Sequence, residues 1–256
     1  ISKKWNQAVY DVNAGGTANI IEMCRRHAVK RLVYVSSVHA IARLPAGQVM
    51  AEVDVFDPDA LQGCYDKTKA AATKLVLDAA KEGMDTVVVH PSGIIGPNGL
   101  PTGNMTQMIT RFLRGKLPAA VHGGFDFVDV RDVADGIIAA AKRGKRGECY
   151  ILSNRFIEVK EMLDILAFAS GRKPLKIYLP LWFAKTFAPL MEIYYKLSKK
   201  TPLFTSYSLE TLSENADFSH GKASRELGYT PRDLKETLSD MAAWVKSLDE
   251  GGQRVN

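Results

Sequence analysis

Residues 31–37 read Arg31-Leu-Val-Tyr-Val-Ser-Ser37, an apolar run of β-branched and aromatic residues that ends in two hydroxyl groups. Such a run is typical of a buried β-strand. A helical pattern follows from about Leu61 to Ala80, and Asp85-Thr-Val-Val-Val-His90 is a second apolar strand, closed by Pro91. Strand, helix and strand in this order predict a parallel crossover unit, so we expect an α/β fold with a parallel sheet.

Tyr65 and Lys69 lie four residues apart in that helical pattern, so they project from one face of the helix. An ammonium group beside a phenol favours the phenolate, and we therefore expect Lys69 to lower the pKa of Tyr65 from its usual value of about 10. A phenol that exchanges its proton near neutral pH suits carbonyl/alcohol redox chemistry. Ser37 ends the preceding strand, and its hydroxyl can hydrogen-bond the oxygen on which charge develops.

The tyrosine–lysine spacing is weak evidence by itself, because short motifs also arise by chance. Tyr195 and Lys199 have the same spacing, but they lie in a basic stretch without a strand before them. Ligands of parallel sheets bind at the carboxyl ends of the strands, and Ser37 stands at such an end. We therefore expect the first pair to be functional.

Composition excludes several classes of function. The chain has 256 residues, of which 46% are hydrophobic and 24% charged, as is ordinary for a globular protein of one large or two unequal domains. The net charge of +6 is spread along the chain, so nucleic-acid binding is not expected. The cysteines and histidines are scattered, which suits a reducing, cytoplasmic location and predicts neither disulfides nor a metal site; they are Cys24, Cys64, Cys149, His27, His39, His90, His122 and His220.

A glycine-rich segment at 92–103 has the spacing of a dinucleotide-binding fingerprint at Gly93, Gly96 and Gly99. Two prolines interrupt the turn-to-helix geometry, and no acidic residue follows before Asp126 to hold a ribose hydroxyl. We interpret the segment as a loop that flanks the substrate and a cofactor, with a plain structural turn as the alternative.

Further along, residues 125–132 predict a short strand capped by Asp132, which begins a helix through Ala141. Asp129, Arg131 and Asp132 are interpreted as a structural cap and ion-pair cluster. The apolar stretch 179–197 is broken by prolines and charges, so a membrane-spanning helix is not expected. It predicts a helical lid over a substrate pocket, and contact of this lid with a membrane surface is the less favoured alternative.

Together these pieces resemble the extended short-chain dehydrogenase/reductase family, and in style the 3-beta-hydroxysteroid dehydrogenases and dihydroflavonol-type reductases. The matching segments run nearly end to end in the family's order: Asn13-Ala-Gly-Gly-Thr17, Arg31-Leu-Val-Tyr-Val-Ser-Ser-Val38, Tyr65-Asp-Lys-Thr-Lys69, His90-Pro-Ser-Gly-Ile-Ile-Gly-Pro97, Phe127-Val-Asp-Val-Arg-Asp-Val-Ala134 and Lys222-Ala-Ser-Arg-Glu-Leu-Gly-Tyr229. The resemblance implies a Rossmann-type doubly wound sheet with a smaller, mostly helical substrate domain. The predicted cofactor domain is 1–103 with 126–168, and the predicted substrate domain is 104–125 with 169–256.

The resemblance also implies roles for individual residues and an NAD or NADP cofactor. Tyr65 would be the general acid/base, Lys69 would bind the nicotinamide ribose and tune Tyr65, and Ser37 would orient the substrate oxygen. Ser36 is the less favoured of the two serines for that role. The cofactor-binding residues implied are Ser36, Tyr65, Lys69, Pro91, Ser92, Gly93 and Ile94.

The family's phosphate-binding glycine loop has no counterpart in this sequence, and in the family it precedes the segment that matches residue 1. We therefore expect an N-terminal portion to be missing, and the chain by itself to bind cofactor poorly and turn over little. The family also implies a homodimer, formed by the helices near 5–26 and 61–80.

The resulting hypothesis is an oxidoreductase that transfers a hydride between a nicotinamide cofactor and a hydroxyl or ketone of an apolar, steroid-like substrate. In sugar-nucleotide relatives an asparagine usually stands where Gly93 does, and its absence favours the apolar substrate. A sugar-nucleotide epimerase or dehydratase and a non-catalytic dinucleotide sensor remain as alternatives.

Overall fold

A computed structural model describes residues 4–99, 103–186 and 206–250. The chain divides into two compact units: the first is Ile1–Ser92, Arg131–Asn154 and Asp217–Pro231, and the second is Gly93–Val130, Arg155–Ala216 and Arg232–Asn256. These units differ from the predicted functional domains in residues 93–103, 126–130, 155–168 and 217–231. The assignment of cofactor and substrate domains stays a prediction.

The helices, in chain order, are α1 (Gln7–Tyr10), α2 (Gly16–Arg26), α3 (Cys64–Lys81), α4 (Asn104–Leu113), α5 (Val130–Arg143), α6 (Val159–Ser170), α7 (Ser206–Thr211), α8 (Gly221–Leu227) and α9 (Leu234–Glu250). A π-helical turn, Asp11–Gly15, joins α1 to α2. The strands are β1 (Leu32–Val35), β2 (Thr86–Pro91), β3 (Gly93–Ile95), β4 (Ala120–Val121), β5 (Gly124–Asp129), β6 (Cys149–Leu152), β7 (Arg155–Glu158) and β8 (Tyr178–Leu179).

The first unit contains a parallel sheet in the order β1-β2-β6. Val33 pairs with Val87, and Val89 pairs with Tyr150. Every residue of β2 is buried, as its run of valines requires for a central strand. Helix α3 buries Ala72, Val76 and Ala79, which lie at helical spacing on one face. The predicted parallel α/β architecture is therefore confirmed.

The second unit contains a sheet in the order β3-β5-β7 and a two-stranded pair, β4-β8. Strand β3 pairs with β5 in parallel, whereas β7 pairs with β5 in the antiparallel direction. Helices α6 and α9 bury apolar residues that include Leu163 and Leu238. This unit is richer in helix than in strand.

Two local predictions were wrong. The glycine-rich segment contains strand β3, which the expectation of a loop missed. At Gly93 a Cβ atom would stand 2.6 Å from the Phe127 ring, so the glycine lets two paired strands approach closely. Asp132 does not cap α5, because that helix begins at Val130 directly after β5, and Asp132 is a buried residue of its first turn.

No helix within the described ranges is long and apolar enough to cross a membrane. The same ranges contain no cluster of three or more histidine, cysteine or acidic side chains that could hold a metal ion. Tyr195, Lys199 and most of the predicted lid at 179–197 lie outside the described residues.

Candidate active site at the ends of strands β1 and β2

The two serines after β1 point in different directions. The Ser36 hydroxyl lies 2.6 Å from Thr73 Oγ1 of helix α3 in a buried hydrogen bond. Thr73 gives its own proton to the Lys69 carbonyl oxygen at 2.8 Å, so Ser36 is the donor of this pair. Ser37 is the N-cap of a short 3₁₀ turn, Val38–Ala40, and its hydroxyl accepts a hydrogen bond from the His39 amide at 3.2 Å. Ser37 therefore keeps its hydroxyl proton for another acceptor.

The Ser37 hydroxyl interacts with the phenol of Tyr65, and this interaction favours the ionised phenol. The pKa of Tyr65 is nevertheless raised above its usual value, because burial outweighs Ser37 and the nearby Asp66 carboxylate adds to the increase. The sequence-based expectation that Lys69 lowers this pKa was wrong. The reason is that burial dominates, and the ammonium group is held by strand β1 instead.

Lys69 donates hydrogen bonds to the Val35 carbonyl oxygen at 2.9 Å and to the Tyr34 hydroxyl at 3.3 Å. Its Nζ also lies 4.9 Å from the centre of the Tyr34 ring. Burial lowers the pKa of Lys69. No carboxylate pairs with this ammonium group in the part of the chain that the structure describes.

Tyr34 is a residue of this site that the sequence analysis missed. Its hydroxyl contacts Lys69, and its pKa is raised, first by burial and then by the proximity of Tyr65, against a hydrogen bond with Thr17. The alternation of side chains along a β-strand indicates that Tyr34 belongs to the site, because Tyr34 and Ser36 are two residues apart and face the same helix. The sequence pattern by itself indicates only a strand residue at Tyr34.

His39 also lies beside the phenol. Its ring meets the Tyr65 ring edge-on, with centroids 5.8 Å apart, and its Nδ1 is 3.4 Å from the Asp66 carboxylate. Arg43 lies 3.2 Å from the same nitrogen. The imidazole is thus part of a polar cluster on the Tyr65 side of helix α3.

The end of β2 carries two buried polar groups without a partner among the described residues. His90 accepts or donates no hydrogen bond at Nε2, and the Ser92 hydroxyl is likewise unpaired. An unpaired hydroxyl next to Pro91 is a group that a nicotinamide amide could satisfy, so Ser92 fits its predicted place at the cofactor. Gly93 and Ile94 lie in β3 of the second unit, where the Ile94 side chain is exposed.

The structure thus brings Ser37, Tyr65 and Lys69 to one edge of the first unit's sheet. A parallel α/β sheet with such groups at the carboxyl ends of its strands is typical of nicotinamide-dependent oxidoreductases. The chain belongs to the NAD dependent epimerase/dehydratase family, whose model matches residues 2–153. The expected family, the nicotinamide cofactor and the oxidoreductase class are therefore confirmed.

Similar proteins support this assignment. A Synechocystis protein with the provisional name dihydroflavonol 4-reductase is 33% identical over 96% of this chain and 73% of its own length. Sterol demethylase protein B of Methylococcus capsulatus is 29% identical over 94% of this chain and 74% of its own. The crystal structure of gox2253 superposes with a TM-score of 0.80 at 28% identity, covering 99% of this chain and 77% of that one.

Proposed function

We propose that this chain carries the catalytic groups of an NAD(P)-dependent oxidoreductase that acts on a hydroxyl or ketone of an apolar, steroid-like molecule. The single observation that carries the proposal is that Ser37, Tyr65 and Lys69 meet at the end of β1, where the half-buried ammonium of Lys69 donates a hydrogen bond to the Val35 carbonyl oxygen and the Ser37 hydroxyl interacts with the Tyr65 phenol. A sensor would have no use for a phenol that interacts with a hydroxyl in this way. The name of the Methylococcus relative supports a sterol substrate.

In the proposed mechanism, Tyr65 gives its proton to the substrate oxygen and Ser37 donates a hydrogen bond to the same oxygen. Lys69 would hold the hydroxyl groups of the nicotinamide ribose, and Pro91 and Ser92 would flank the nicotinamide ring. When bound, the cofactor supplies the hydride. The Ser36 hydroxyl is bonded to Thr73, so Ser36 contributes only its place in the backbone beside Ser37.

The raised pKa of Tyr65 bears on the direction of the reaction. A phenol whose pKa exceeds about 10 keeps its proton at neutral pH and is ready to act as an acid. Ketone reduction needs the protonated phenol, whereas alcohol oxidation needs the phenolate. We therefore propose that the site, before cofactor binds, favours reduction at neutral pH and gains oxidative activity as the pH rises.

The test is Tyr65→Phe in the protein produced from its natural reading frame. A 3β-hydroxysteroid and its 3-ketone would be assayed with each nicotinamide cofactor in its matching redox form. Turnover should fall by about 1,000-fold or more, because the proton donor is gone, while cofactor affinity stays within about twofold. Tyr10→Phe, on the exposed α1, is the matched control and should keep full activity. Retained turnover in Tyr65→Phe would refute the role.

A sugar-nucleotide epimerase is the second candidate, favoured only by the breadth of the matching family. UDP-glucose distinguishes the two, because an epimerase would bind it and the steroid-type enzyme would not. Calorimetric titration with UDP-glucose gives this answer without knowledge of the natural substrate.

We also propose a homodimer and a cytoplasmic location. Helices α2 and α3 expose apolar side chains beside their buried faces, namely Ile20, Met23 and Leu75, and such side chains support an interface between copies. Light scattering should give a dimer mass that Ile20→Glu reduces to that of a monomer.

The free cysteines, Cys24, Cys64 and Cys149, support a reducing compartment, and with it the proposed cytoplasmic location.

A further inference from the structure

His90 is a buried polar residue that the proposed mechanism does not use. It is the fifth residue of β2 and has no exposed surface. Its Nδ1 lies 3.0 Å from the Ser37 carbonyl oxygen. Its ring stacks on Phe56, with centroids 5.3 Å apart and planes within 9° of parallel.

The contact lies where the ladder between β1 and β2 ends. The last backbone bond of that ladder runs from the Ser36 amide to the Val89 carbonyl oxygen at 2.8 Å. The same register would next pair the amide of residue 91 with the Ser36 carbonyl, but Pro91 has no N–H. Without a further backbone bond, the ladder cannot fix the direction of the chain at Ser37.

Two hydrogen bonds hold the Ser37 carbonyl after the ladder has ended. One comes from the Ala40 amide at 3.0 Å, which closes the 3₁₀ turn. The other comes from the His90 side chain, which is the only one of the two that ties this turn to the sheet. Because the Ser37 carbonyl and side chain share one Cα, a fixed carbonyl also restricts the direction in which the side chain leaves the backbone toward Tyr65.

The direction of this bond sets the tautomer of the ring. A carbonyl oxygen can only accept, so His90 must carry its proton on Nδ1. Burial lowers the pKa of His90 to about 4, and the imidazole is therefore neutral at physiological pH. Nε2 is then an acceptor, and it has no partner among the described residues. A phenylalanine would occupy this space without the cost of an unpaired nitrogen, so packing alone does not account for the imidazole.

We propose that His90 is a positioning residue for the reaction: its Nδ1–H holds the Ser37 carbonyl so that the Ser37 hydroxyl faces the Tyr65 phenol. The inference rests on the proposed function, because it acts through Ser37. His90 touches neither substrate nor cofactor in this role. Phe56 keeps the ring in the plane in which Nδ1 reaches the carbonyl.

Two variants separate the hydrogen bond from the packing. His90→Phe keeps the ring against Phe56 and removes the donor. His90→Asn removes the ring, but its side-chain amide nitrogen stands the same number of bonds from the backbone as Nδ1 and can donate. Turnover should fall about 10- to 100-fold in His90→Phe and recover most of that loss in His90→Asn, with cofactor affinity unchanged in both. Equal losses in the two variants would contradict the proposal.

The same substitution in a Ser37→Ala background tests the route of the effect. Because His90 acts through Ser37, His90→Phe should cost less than about twofold once the Ser37 hydroxyl is absent. A full additional loss in that background would overturn the positioning role. If Ser37→Ala and Tyr65→Phe both leave turnover unchanged, the proposed function itself fails; if they abolish it and His90→Phe does not, only the role of His90 fails.

A measurement on the unmodified protein guards against a variant that does not fold. Nitrogen-15 NMR of the histidine side chains reports which ring nitrogen carries the proton. The proposal requires the Nδ1–H form at His90, assigned by its absence from His90→Asn or His90→Phe, whichever folds, or by its contacts to Phe56. An Nε2–H form would refute the bond to Ser37 directly.

Discussion

Two lysines in the first unit lie over tyrosine rings, and their surroundings differ in one respect. Lys69 Nζ is 4.9 Å from the centre of the Tyr34 ring, and Lys222 Nζ is 5.1 Å from that of Tyr150. Lys222 also pairs with the Glu148 carboxylate at 2.5 Å. Lys69 has only a carbonyl oxygen and a phenol as hydrogen-bond partners in the described structure.

This difference is visible in the pKa values of the two ammonium groups. Burial lowers both, but the hydrogen bond to Glu148 and the charges of Glu148 and Glu52 reverse the effect at Lys222, whose pKa is raised. The pKa of Lys69 stays lowered, because no carboxylate compensates its burial. The charge of Lys222 is thus neutralised in a structural ion pair with Glu148. Lys69, by contrast, retains a charge that a bound group can still neutralise or share.

Within this comparison, the largest expected effect on kcat/KM comes from removing the charge of Lys69 while that of Lys222 is kept. Lys69→Met should lower kcat/KM by about 100-fold or more, because the ribose contact and the charge beside Tyr65 are lost together. The free energy of unfolding should hold or rise, since a half-buried charge without a carboxylate partner is replaced by an apolar chain. Steady-state kinetics and urea denaturation of the purified variant measure both.

Lys222→Met is the matched control. It should leave kcat/KM unchanged and lower the free energy of unfolding by about 1 kcal/mol, because an ion pair and a cation–π contact are lost. A loss of activity in Lys222→Met equal to that in Lys69→Met would erase the distinction between the two pairs.

The next effect concerns His90, whose pKa burial lowers from 6.5 to about 4, with a smaller contribution from the charge of Lys69 and an opposing one from the Ser37 carbonyl. Between about pH 4 and pH 6.5 the His90 imidazole is protonated in the unfolded chain but neutral in the folded protein. The free energy of unfolding therefore falls as the pH falls. From pH 7 to pH 4 this histidine should account for about 3 kcal/mol of lost stability.

The comparison with His90→Phe isolates that contribution, because all other groups titrate alike in both proteins. The stability of the unmodified protein relative to the variant should drop by about 3 kcal/mol over the interval, as measured by urea denaturation at several pH values. Parallel pH profiles would show that folding does not lower the pKa of His90.

The sequence predicted the parallel sheet well, because a strand with consecutive valines at 87–89 can only be satisfied by burial on both faces. It also predicted that Ser37 and the Tyr65 helix meet, since parallel strands end at one edge of the sheet. Strand β3 was missed because its pairing with β5 joins residues about 34 apart, and a three-residue strand with a glycine leaves no periodic pattern.

Charge states were harder to predict than positions. Four-residue spacing places Tyr65 and Lys69 on one face of helix α3, but spacing says nothing about which groups desolvate them. The pKa of Tyr65 depends on burial, and the direction of the Lys69 side chain depends on the Val35 carbonyl, a backbone group whose availability no sequence pattern reveals. Tyr34 and His90 were missed for the same reason, since each resembles an ordinary strand residue until its hydrogen bonds are known.

The smallest expected effect separates the two tyrosines that lie beneath the lysines. Tyr34→Phe keeps the ring under Lys69 but removes its hydroxyl partner, leaving the Val35 carbonyl alone to hold the ammonium group. The lysine then has more freedom, and kcat/KM should fall by about three- to tenfold, a positional effect of roughly 1 kcal/mol. Tyr150→Phe loses bonds to the Lys145 amide and to Glu226, so it should cost about 1 kcal/mol of stability with kcat/KM unchanged. If Tyr34→Phe and Tyr150→Phe changed kcat/KM to the same extent, the Tyr34 hydroxyl would have no part in placing Lys69. The Val35 carbonyl oxygen would then be sufficient to hold the ammonium group.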